Sequence, residues 1–220
     1  MDALLRRREM MGAGGGTAGV VFYDKLIFDG TAYIETDITP PSDFSVRVPL
    51  GNESTKAAQR VFGVPGTNSS TFALYYGNST TSTNRYFAVY YGASSSVSSN
   101  HYLAFSTKTF TFFLTPKRFG IGSTAWNITK GSETPSGALI IGYNSAKSGT
   151  PYTGEMKTFF IYDSDAQDAT SASELLNNYT PEYTLRPCTY NGEAGLWCVE
   201  TSKFYGNSAV SGTLTVQNDS

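Results

Sequence analysis

Thr71-Phe-Ala-Leu-Tyr-Tyr-Gly77 and Tyr86-Phe-Ala-Val-Tyr-Tyr-Gly92 are near-copies of each other at a spacing of 15 residues. Both segments are rich in aromatic and other apolar residues and end at a glycine, which is typical of short strands joined by a turn. Side chains alternate between the two faces of a strand, so Phe72 and Leu74 share one face and Tyr75 lies on the other. The repeat therefore predicts two adjacent strands with one core face and one outer face that carries tyrosines.

The same pattern continues over most of the chain from Lys25 onward. Short β-branched and aromatic runs are separated by clusters of Gly, Pro, Asn and Ser, which favours a sandwich or a barrel. We expect strands near residues 25–29, 31–37, 43–49, 59–64, 71–76, 85–91, 101–106, 109–114, 138–143, 154–162, 195–199 and 213–217. This density predicts an all-β fold, a two-sheet antiparallel jelly-roll sandwich.

One short helix is expected among these strands. Ser171-Ala-Ser-Glu174 has the spacing of a capping box, and the helix should end before Pro181. Just upstream, Asp163-Ser-Asp-Ala-Gln-Asp168 is similar to a calcium loop, but Asp168 stands where that loop needs a glycine. We therefore favour a solvated turn that leads into the helix over a metal site.

The first 22 residues differ in composition from the rest of the chain. Residues 1–12 carry three positive and two negative charges, the remainder carries 13 and 16, and a glycine-rich segment follows at 12–19. We expect an N-terminal tail and linker over residues 1–22 and a sandwich domain over residues 23–220. The tail has too few apolar side chains for its own core, so they gain burial by packing on a partner or on sister chains. The expected anchoring residues are Leu4, Leu5, Arg6, Arg7, Arg8, Met10 and Met11. The alternative is a frayed end without a partner.

Overall charge and composition exclude several classes of partner. Only 15% of the residues are charged, compared with roughly 25% in an average soluble domain. The net charge of −2 and the pI near 5.4 provide no basic field for a phosphate backbone, so nucleic-acid binding is not expected. No apolar run is long enough to cross a bilayer, and no stretch of about 7–15 apolar residues follows the N-terminal arginines as in a secretory signal.

The residues that carry most enzyme chemistry do not form a complete motif. Glu35 and Asp37 lie two apart on a predicted strand, but the third position of a Glu-x-Asp-x-Glu arrangement is Thr39. We interpret the pair as solvated charges on an edge strand. The lone histidine, His101, cannot build a metal site or a catalytic triad. We therefore expect no catalytic activity, no metal and no cofactor. The two cysteines, Cys188 and Cys198, leave open either one bridge or two buried thiols.

Aromatic side chains are the remaining candidates for a functional site. Tyrosine and tryptophan rings stack on the C–H faces of sugars, while sugar hydroxyls bond to polar neighbours. Candidate glycan-binding residues are therefore Tyr75, Tyr86, Tyr90 and Trp126. The tyrosines of the repeat have the stronger geometric argument, because small alanines lie beside them on the predicted outer face.

Several segments of the sequence resemble the concanavalin A-like, laminin G-like sandwiches common in proteins of gut bacteria and their bacteriophages. In family order, these segments are Lys25-Leu-Ile-Phe-Asp-Gly-Thr-Ala-Tyr-Ile-Glu-Thr-Asp-Ile38, Arg60-Val-Phe-Gly63, Gly154-Glu-Met-Lys-Thr-Phe-Phe-Ile-Tyr162, Leu176-Asn-Asn-Tyr-Thr-Pro181, Pro187-Cys188, Gly195-Leu-Trp197 and Lys203-Phe-Tyr-Gly-Asn207. The resemblance covers residues 25 to about 216. The family usually has Gly-Leu-Tyr-Asp where this chain has Gly195-Leu-Trp-Cys198, so any role of that aspartate is absent here.

The resemblance implies a lectin-like sandwich in a phage setting. We expect a non-catalytic bacteriophage virion surface protein, a head or tail fibre or decoration. It would be assembled in the host cytoplasm, attached through its tail to capsid or tail proteins, and would form a homo-oligomer. The domain would bind host-surface carbohydrate. A purely structural virion component is the first alternative, and a glycan hydrolase that uses Glu35 and Asp37 is the second.

Overall fold

The computed structural model describes residues 19–51, 59–67, 71–78, 84–93, 96–104 and 109–219. The anchoring residues predicted between Leu4 and Met11 lie outside the described residues, as do the side chains of Tyr86 and His101. Within the described part, no helix has the length and apolar composition needed to span a bilayer.

Strands dominate the described chain. In chain order they are β1 (Val20–Phe22), β2 (Lys25–Asp29), β3 (Ile34–Glu35), β4 (Ser45–Gly51), β5 (Gln59–Pro65), β6 (Thr71–Asn78), β7 (Asn84–Ala93), β8 (Ser98–Ala104), β9 (Thr109–Leu114), β10 (Arg118–Ile121), β11 (Thr124–Asn127), β12 (Ile140–Ile141), β13 (Thr150–Pro151), β14 (Thr153–Met156), β15 (Phe159–Tyr162), β16 (Tyr183–Tyr190), β17 (Glu193–Cys198), β18 (Lys203–Tyr205) and β19 (Leu214–Gln217). A 3-10 turn spans Ser164–Ala166, and the helix α1 spans Ala172–Asn178.

The strands form two sheets. The larger sheet has twelve strands in the order β11-β10-β9-β4-β15-β16-β17-β18, with β1, β2, β14 and β19 paired beside this path. The smaller sheet has seven strands in the order β3-β12-β5-β6-β7-β8, with β13 beside β5. Neighbours pair antiparallel except that β13 runs parallel to β5. The predicted all-β, two-sheet jelly-roll sandwich is confirmed.

Phenylalanines from both sheets meet in the core between them. Phe62 of the smaller sheet lies with its ring centroid 5.6 Å from that of Phe159 and 6.5 Å from that of Phe112, both on the larger sheet. All three side chains are fully buried. Burial of a side chain of this size contributes about 1.5–3 kcal/mol. This contact fixes which face of each sheet is inward and which is outward.

The near-repeat forms the centre of the smaller sheet. β6 and β7 pair antiparallel with Leu74 opposite Val89, Ala73 opposite Tyr90, and Tyr75 opposite Ala88. The predicted core face is buried as expected: Phe72, Leu74, Tyr76, Phe87, Val89 and Tyr91. Alternation along the strands then directs Tyr75 and Tyr90 to the outer face.

The helix and the turn before it cover part of the outer face of the larger sheet. Leu175 of α1 packs in a cluster with Phe113, Phe160 and Tyr162. Ser171 caps the helix, because its hydroxyl accepts a hydrogen bond from the Glu174 N–H at 3.1 Å. The predicted helix start and its end before Pro181 are confirmed.

The predicted boundary between tail and domain needs a correction. β1 lies inside the segment assigned to the tail, and it pairs antiparallel with β16 from Val20 to Phe22. The Phe22 ring is also covered by the Arg186 guanidinium at 4.2 Å. The sandwich therefore includes residues 20–22, because strand pairing joins them to the larger sheet.

The two cysteines are free buried thiols. They lie on neighbouring strands, but Cys188 is opposite Gly195 and Cys198 is opposite Leu185. The three-residue offset from Gly195 to Cys198 places the two side chains on opposite faces of the sheet, which excludes a bridge. Burial raises the pKa of the Cys188 thiol to about 12.

Candidate functional site

Two tyrosines and one arginine form a cluster on the outer face of the smaller sheet. The Tyr75 and Tyr90 rings are diagonal neighbours across β6 and β7, with centroids 4.8 Å apart. The Arg60 guanidinium carbon lies 3.9 Å from the Tyr75 ring centroid, in a cation–π arrangement. All three side chains are partly exposed. We call these three residues the tyrosine–arginine patch.

The loop of residues 142–149 lies flat on the same outer face, beside the patch. Gly63 makes this possible, because a Cβ atom there would lie 2.5 Å from the Ser145 N and 2.7 Å from the Asn144 Cα. At the far end of the loop, Gly149 lies next to Arg60. A Cβ atom at Gly149 would be 2.9 Å from the Arg60 Nη2. The loop therefore borders the patch on one side and forms what we call its wall.

Side-chain contacts within the loop and to β3 hold this wall in place. The buried Asn144 side chain accepts a hydrogen bond from the Ser148 N–H at 2.9 Å. Lys147 reaches across to β3, where its Nζ lies 2.6 Å from the Glu35 carboxylate. A loop tied at these points gives the patch a defined border.

An open polar groove of about 450 Å³ lies at the edge of the sandwich, between β3 and β18. Its lining includes the carboxylates of Glu35, Asp37 and Glu193, the Lys203 ammonium group and the Phe204 ring. This volume lies within the range of about 300–1,000 Å³ that small-ligand sites occupy. We call it the edge groove.

Asp37 is the most firmly held carboxylate of the edge groove. It forms an ion pair with Lys203 at 2.5 Å and accepts a hydrogen bond from the Tyr205 hydroxyl. The bond from Lys203 and that from Tyr205 lower the pKa of Asp37 below its usual range. Burial, together with the Asp37 carboxylate, raises the pKa of Tyr205. Asp37 is therefore an ionised hydrogen-bond acceptor at neutral pH and a poor general acid.

The structure does not bring all the predicted glycan-binding residues together. Tyr75 and Tyr90 are adjacent, as expected. Trp126 lies on β11 of the other sheet, where it stacks on the buried Phe119 ring at 4.9 Å and packs against the core. A site that combines Trp126 with the tyrosine pair is therefore excluded. The Tyr86 side chain lies outside the described residues.

Glu35 and Asp37 were both expected on one strand, but only Glu35 lies on β3, which ends at that residue. β3 is the first strand in the order of the smaller sheet, and Glu35 and Asp37 are both exposed beside it. Each one pairs with a lysine. The turn at Asp163 is capped by its own carboxylate, which accepts from the Ser164 N–H at 2.5 Å. Among the described residues, no group of three or more His, Cys, Asp or Glu side chains is arranged to hold a metal ion.

Sequence reasoning missed Arg60, the 142–149 loop and the edge groove. Arg60 lies opposite Tyr75 in the sheet, but only the β5–β6 register reveals this. Gly63 is the signal that could have pointed to the loop, because a glycine inside a strand often marks the close approach of another backbone.

No protein-family model and no curated protein sequence matches the chain. Solved structures do share its fold. A protein of Bacteroides ovatus, described as a "putative carbohydrate binding protein", superposes with a TM-score of 0.56 at 12% identity, over 90% of this chain and 61% of that chain. The native heptameric SAP-like pentraxin of Limulus polyphemus superposes with a TM-score of 0.55 at 11% identity, over 93% of this chain and 98% of that chain.

These similarities define the class of fold. Both structures share the two-sheet antiparallel jelly-roll fold of this chain. The chain spans about three fifths of the length of the Bacteroides ovatus structure, since it covers 61% of it.

Proposed function

We propose that this protein is a non-catalytic carbohydrate-binding protein and that its glycan site is the tyrosine–arginine patch. The observation that carries the proposal is the pair of partly exposed rings of Tyr75 and Tyr90, held 4.8 Å apart on the outer face of the smaller sheet. The Bacteroides ovatus neighbour, with its carbohydrate-binding description, has the same fold and supports this assignment.

The chemistry of the patch suits a sugar. An aromatic ring packs against the C–H face of a pyranose, and a guanidinium offers several N–H donors in a fixed fork. Arg60 covers one side of Tyr75. A glycan would therefore contact Tyr90 and the exposed edge of Tyr75 rather than lie flat on both rings. Ala73 and Ala88, opposite the two tyrosines, keep the surface beside the rings low.

The acidic residues support a non-catalytic role. A glycosidase needs one carboxylic acid that is still protonated when it meets its substrate. Lys203 and Tyr205 lower the pKa of Asp37, the opposite direction to the one a general acid needs. Glu35 is held in an ion pair with Lys147. Release of sugars from bacterial capsular or wall polysaccharides, abolished by Glu35→Gln, would overturn this part of the proposal.

The glycan site is tested with a glycan array followed by calorimetry on the best ligand. We expect Tyr90→Ala and Tyr75→Ala each to weaken binding about tenfold or more, which corresponds to about 1.4 kcal/mol. Tyr23→Ala is the matched control, since Tyr23 is also partly exposed but follows β1 of the larger sheet. Unchanged affinity in both patch variants, with the fold intact by circular dichroism, would remove the patch from the site.

We further propose that the domain is displayed on a bacteriophage virion, assembled in the host cytoplasm as a homo-oligomer. The support is the resemblance at Lys25–Ile38 and in the closing segments, together with the composition of residues 1–12. The apolar and arginine side chains of that tail would attach the domain to capsid or tail proteins.

The attachment is tested by deletion of residues 1–12. The truncated sandwich should fold but should no longer incorporate into particles. Incorporation equal to that of the full chain would refute the anchor. Normal incorporation of a full chain that binds no glycan would favour the purely structural alternative.

A further inference from the structure

We infer that the edge groove between β3 and β18 is a second binding site, selective for an uncharged saccharide. The ligand class follows from the proposed function, but the residues are different, so either site can exist without the other. The inference rests on the shape of the groove, its fixed aromatic wall and the charges of its lining.

The aromatic wall is a ring held in one orientation. Phe204 is partly exposed and lies with its ring centroid 5.4 Å from that of Tyr190. Gly195 and Gly206 flank it: a Cβ atom at Gly195 would lie 2.8 Å from the ring, and one at Gly206 would lie 3.1 Å from it. Two glycines therefore leave a slot that the phenylalanine ring fills. An exposed ring with a fixed orientation can pack on a pyranose at little entropic cost.

The polar wall supplies two ordered acceptors, the carboxylates of Asp37 and Glu35. Asp37 is fixed by Lys203 and Tyr205, and Glu35 is fixed by Lys147. Ser208 also lines the groove, and its hydroxyl accepts a hydrogen bond from the Glu35 N–H at 2.9 Å. Carboxylates accept hydrogen bonds from sugar hydroxyls, and a site with preset acceptors avoids the cost of ordering them on binding.

The charge of the lining selects among saccharides. Glu35, Asp37 and Glu193 bring three carboxylates to the groove. Lys147 pairs with Glu35 and Lys203 pairs with Asp37. Glu193 therefore leaves a net negative charge, which repels uronic acids and other anionic sugars. An uncharged oligosaccharide meets no such penalty.

The edge groove is separate from the tyrosine–arginine patch. Strand register places Glu35, Ile140, Gly63, Ala73 and Tyr90 in one row across β3, β12, β5, β6 and β7. Four strand spacings put Glu35 about 19 Å from Tyr90. The 142–149 loop lies on the sheet between them, over Gly63. Perturbations at the two sites can therefore be told apart residue by residue.

The test is a titration of the ¹⁵N-labelled full chain, followed by NMR, with a neutral panel of maltohexaose, cellohexaose and chitohexaose. Oligogalacturonate of the same length is the anionic comparison. We expect a neutral oligosaccharide to shift the amides of Phe204, Gly206 and Ser208, and oligogalacturonate to shift them about tenfold more weakly.

Variants separate the two sites. Phe204→Ala should weaken the groove response to the neutral oligosaccharide about tenfold, and Glu193→Gln should strengthen the groove response to oligogalacturonate. Both variants should leave the response around Tyr90 unchanged, whereas Tyr90→Ala should weaken that response and leave the groove unchanged. Glu193 is exposed, so its conservative variant keeps the fold even if Phe204→Ala does not.

Three outcomes decide the question. Shifts at the groove without shifts at the patch support the groove and refute the patch. Shifts at the patch alone refute the groove and leave the proposed function standing. Equal responses to neutral and anionic chains at the groove overturn the selectivity argued from its charge.

Discussion

Gly63→Ala should lift the 142–149 loop from the outer face of the smaller sheet. The new methyl group would lie 2.5 Å from the Ser145 N, whereas ordinary Cβ contacts begin near 3.4 Å. The obstacle is backbone rather than a flexible side chain, so the loop itself must move by about 0.9 Å. Two features resist that movement. Asn144 is buried, and the Gly142 N–H donates a hydrogen bond to the Val61 carbonyl of β5 at 2.7 Å.

The size of the effect follows from these contacts. Overpacking of a tight site costs typically 1–3 kcal/mol, and the weakened loop hydrogen bonds place this variant near the upper end, at about 2–3 kcal/mol. For a chain of this length that corresponds to a melting temperature about 4–12 °C lower. Because the loop borders Arg60 at Gly149, saccharide affinity at the patch should fall as well.

The assay is thermal and urea unfolding of Gly63→Ala beside Gly192→Ala. A methyl group at Gly192 would meet no atom within 4 Å, but Gly192 has a left-handed backbone with φ of +86°. The control variant therefore measures only the cost of placing an alanine in that backbone conformation. Left-handed backbone costs about 1–2 kcal/mol in a residue with a Cβ. Stability of Gly63→Ala equal to or above that of Gly192→Ala would refute the packing of the loop on the sheet.

Three further predictions concern buried or tightly bonded groups. Tyr91→Phe removes a buried hydroxyl that donates to the Phe44 carbonyl at 2.6 Å, so urea unfolding should show a loss of about 1–3 kcal/mol; an unchanged midpoint would contradict that bond. Burial acts to raise the pKa of Asp29, but hydrogen bonds from Ala32, Thr31 and Thr213 lower it below its ordinary 3.8. The stability that these bonds provide is present above that value and lost as the pH falls through the folded pKa. Asp29→Ala should therefore be less stable than wild type at pH 7, and the difference should shrink below about pH 4; a constant difference would contradict the linkage. The thiol of Cys188, whose pKa burial raises to about 12, should react with Ellman's reagent at pH 8 only after unfolding in urea, and fast labelling of the folded protein would contradict its burial.

The centre of the smaller sheet could be predicted from the sequence because its signal is local. A repeat of seven residues with strict alternation fixes which side chains share a face, and the short spacing fixes the antiparallel pairing. The register of Leu74 with Val89 and the burial of their face confirm both inferences. The helix start at Ser171 was predictable for the same reason, since capping acts over four residues.

Several strands of the larger sheet were missed because their residues break the local rules. β16 contains Pro187, which argues against a strand in a simple pattern. In the structure the Pro187 carbonyl accepts from the Tyr23 N–H at 3.0 Å. The N and the C=O of a strand residue point to the same side of the strand. The nitrogen of Pro187, which has no hydrogen to donate, therefore points toward β1 and not toward β17, so no hydrogen bond to β17 is lost. The hairpin of β10 and β11 was missed as well, since its outer strand is mostly exposed and has no apolar alternation.

The candidate surface was only half predictable, because alternation tells which residues leave the core but not from which sheet they leave. The sequence analysis grouped Trp126 with Tyr75 and Tyr90, but Trp126 stacks on the buried Phe119 ring and packs against the core. Strand order then separated Trp126 from the pair, because β11 belongs to the larger sheet. Arg60 lies beside the tyrosines because β5 pairs with β6, which places Arg60 opposite Tyr75. A site on the face of a sheet is defined by register across strands, and register between strands distant in sequence is the information that local patterns lack.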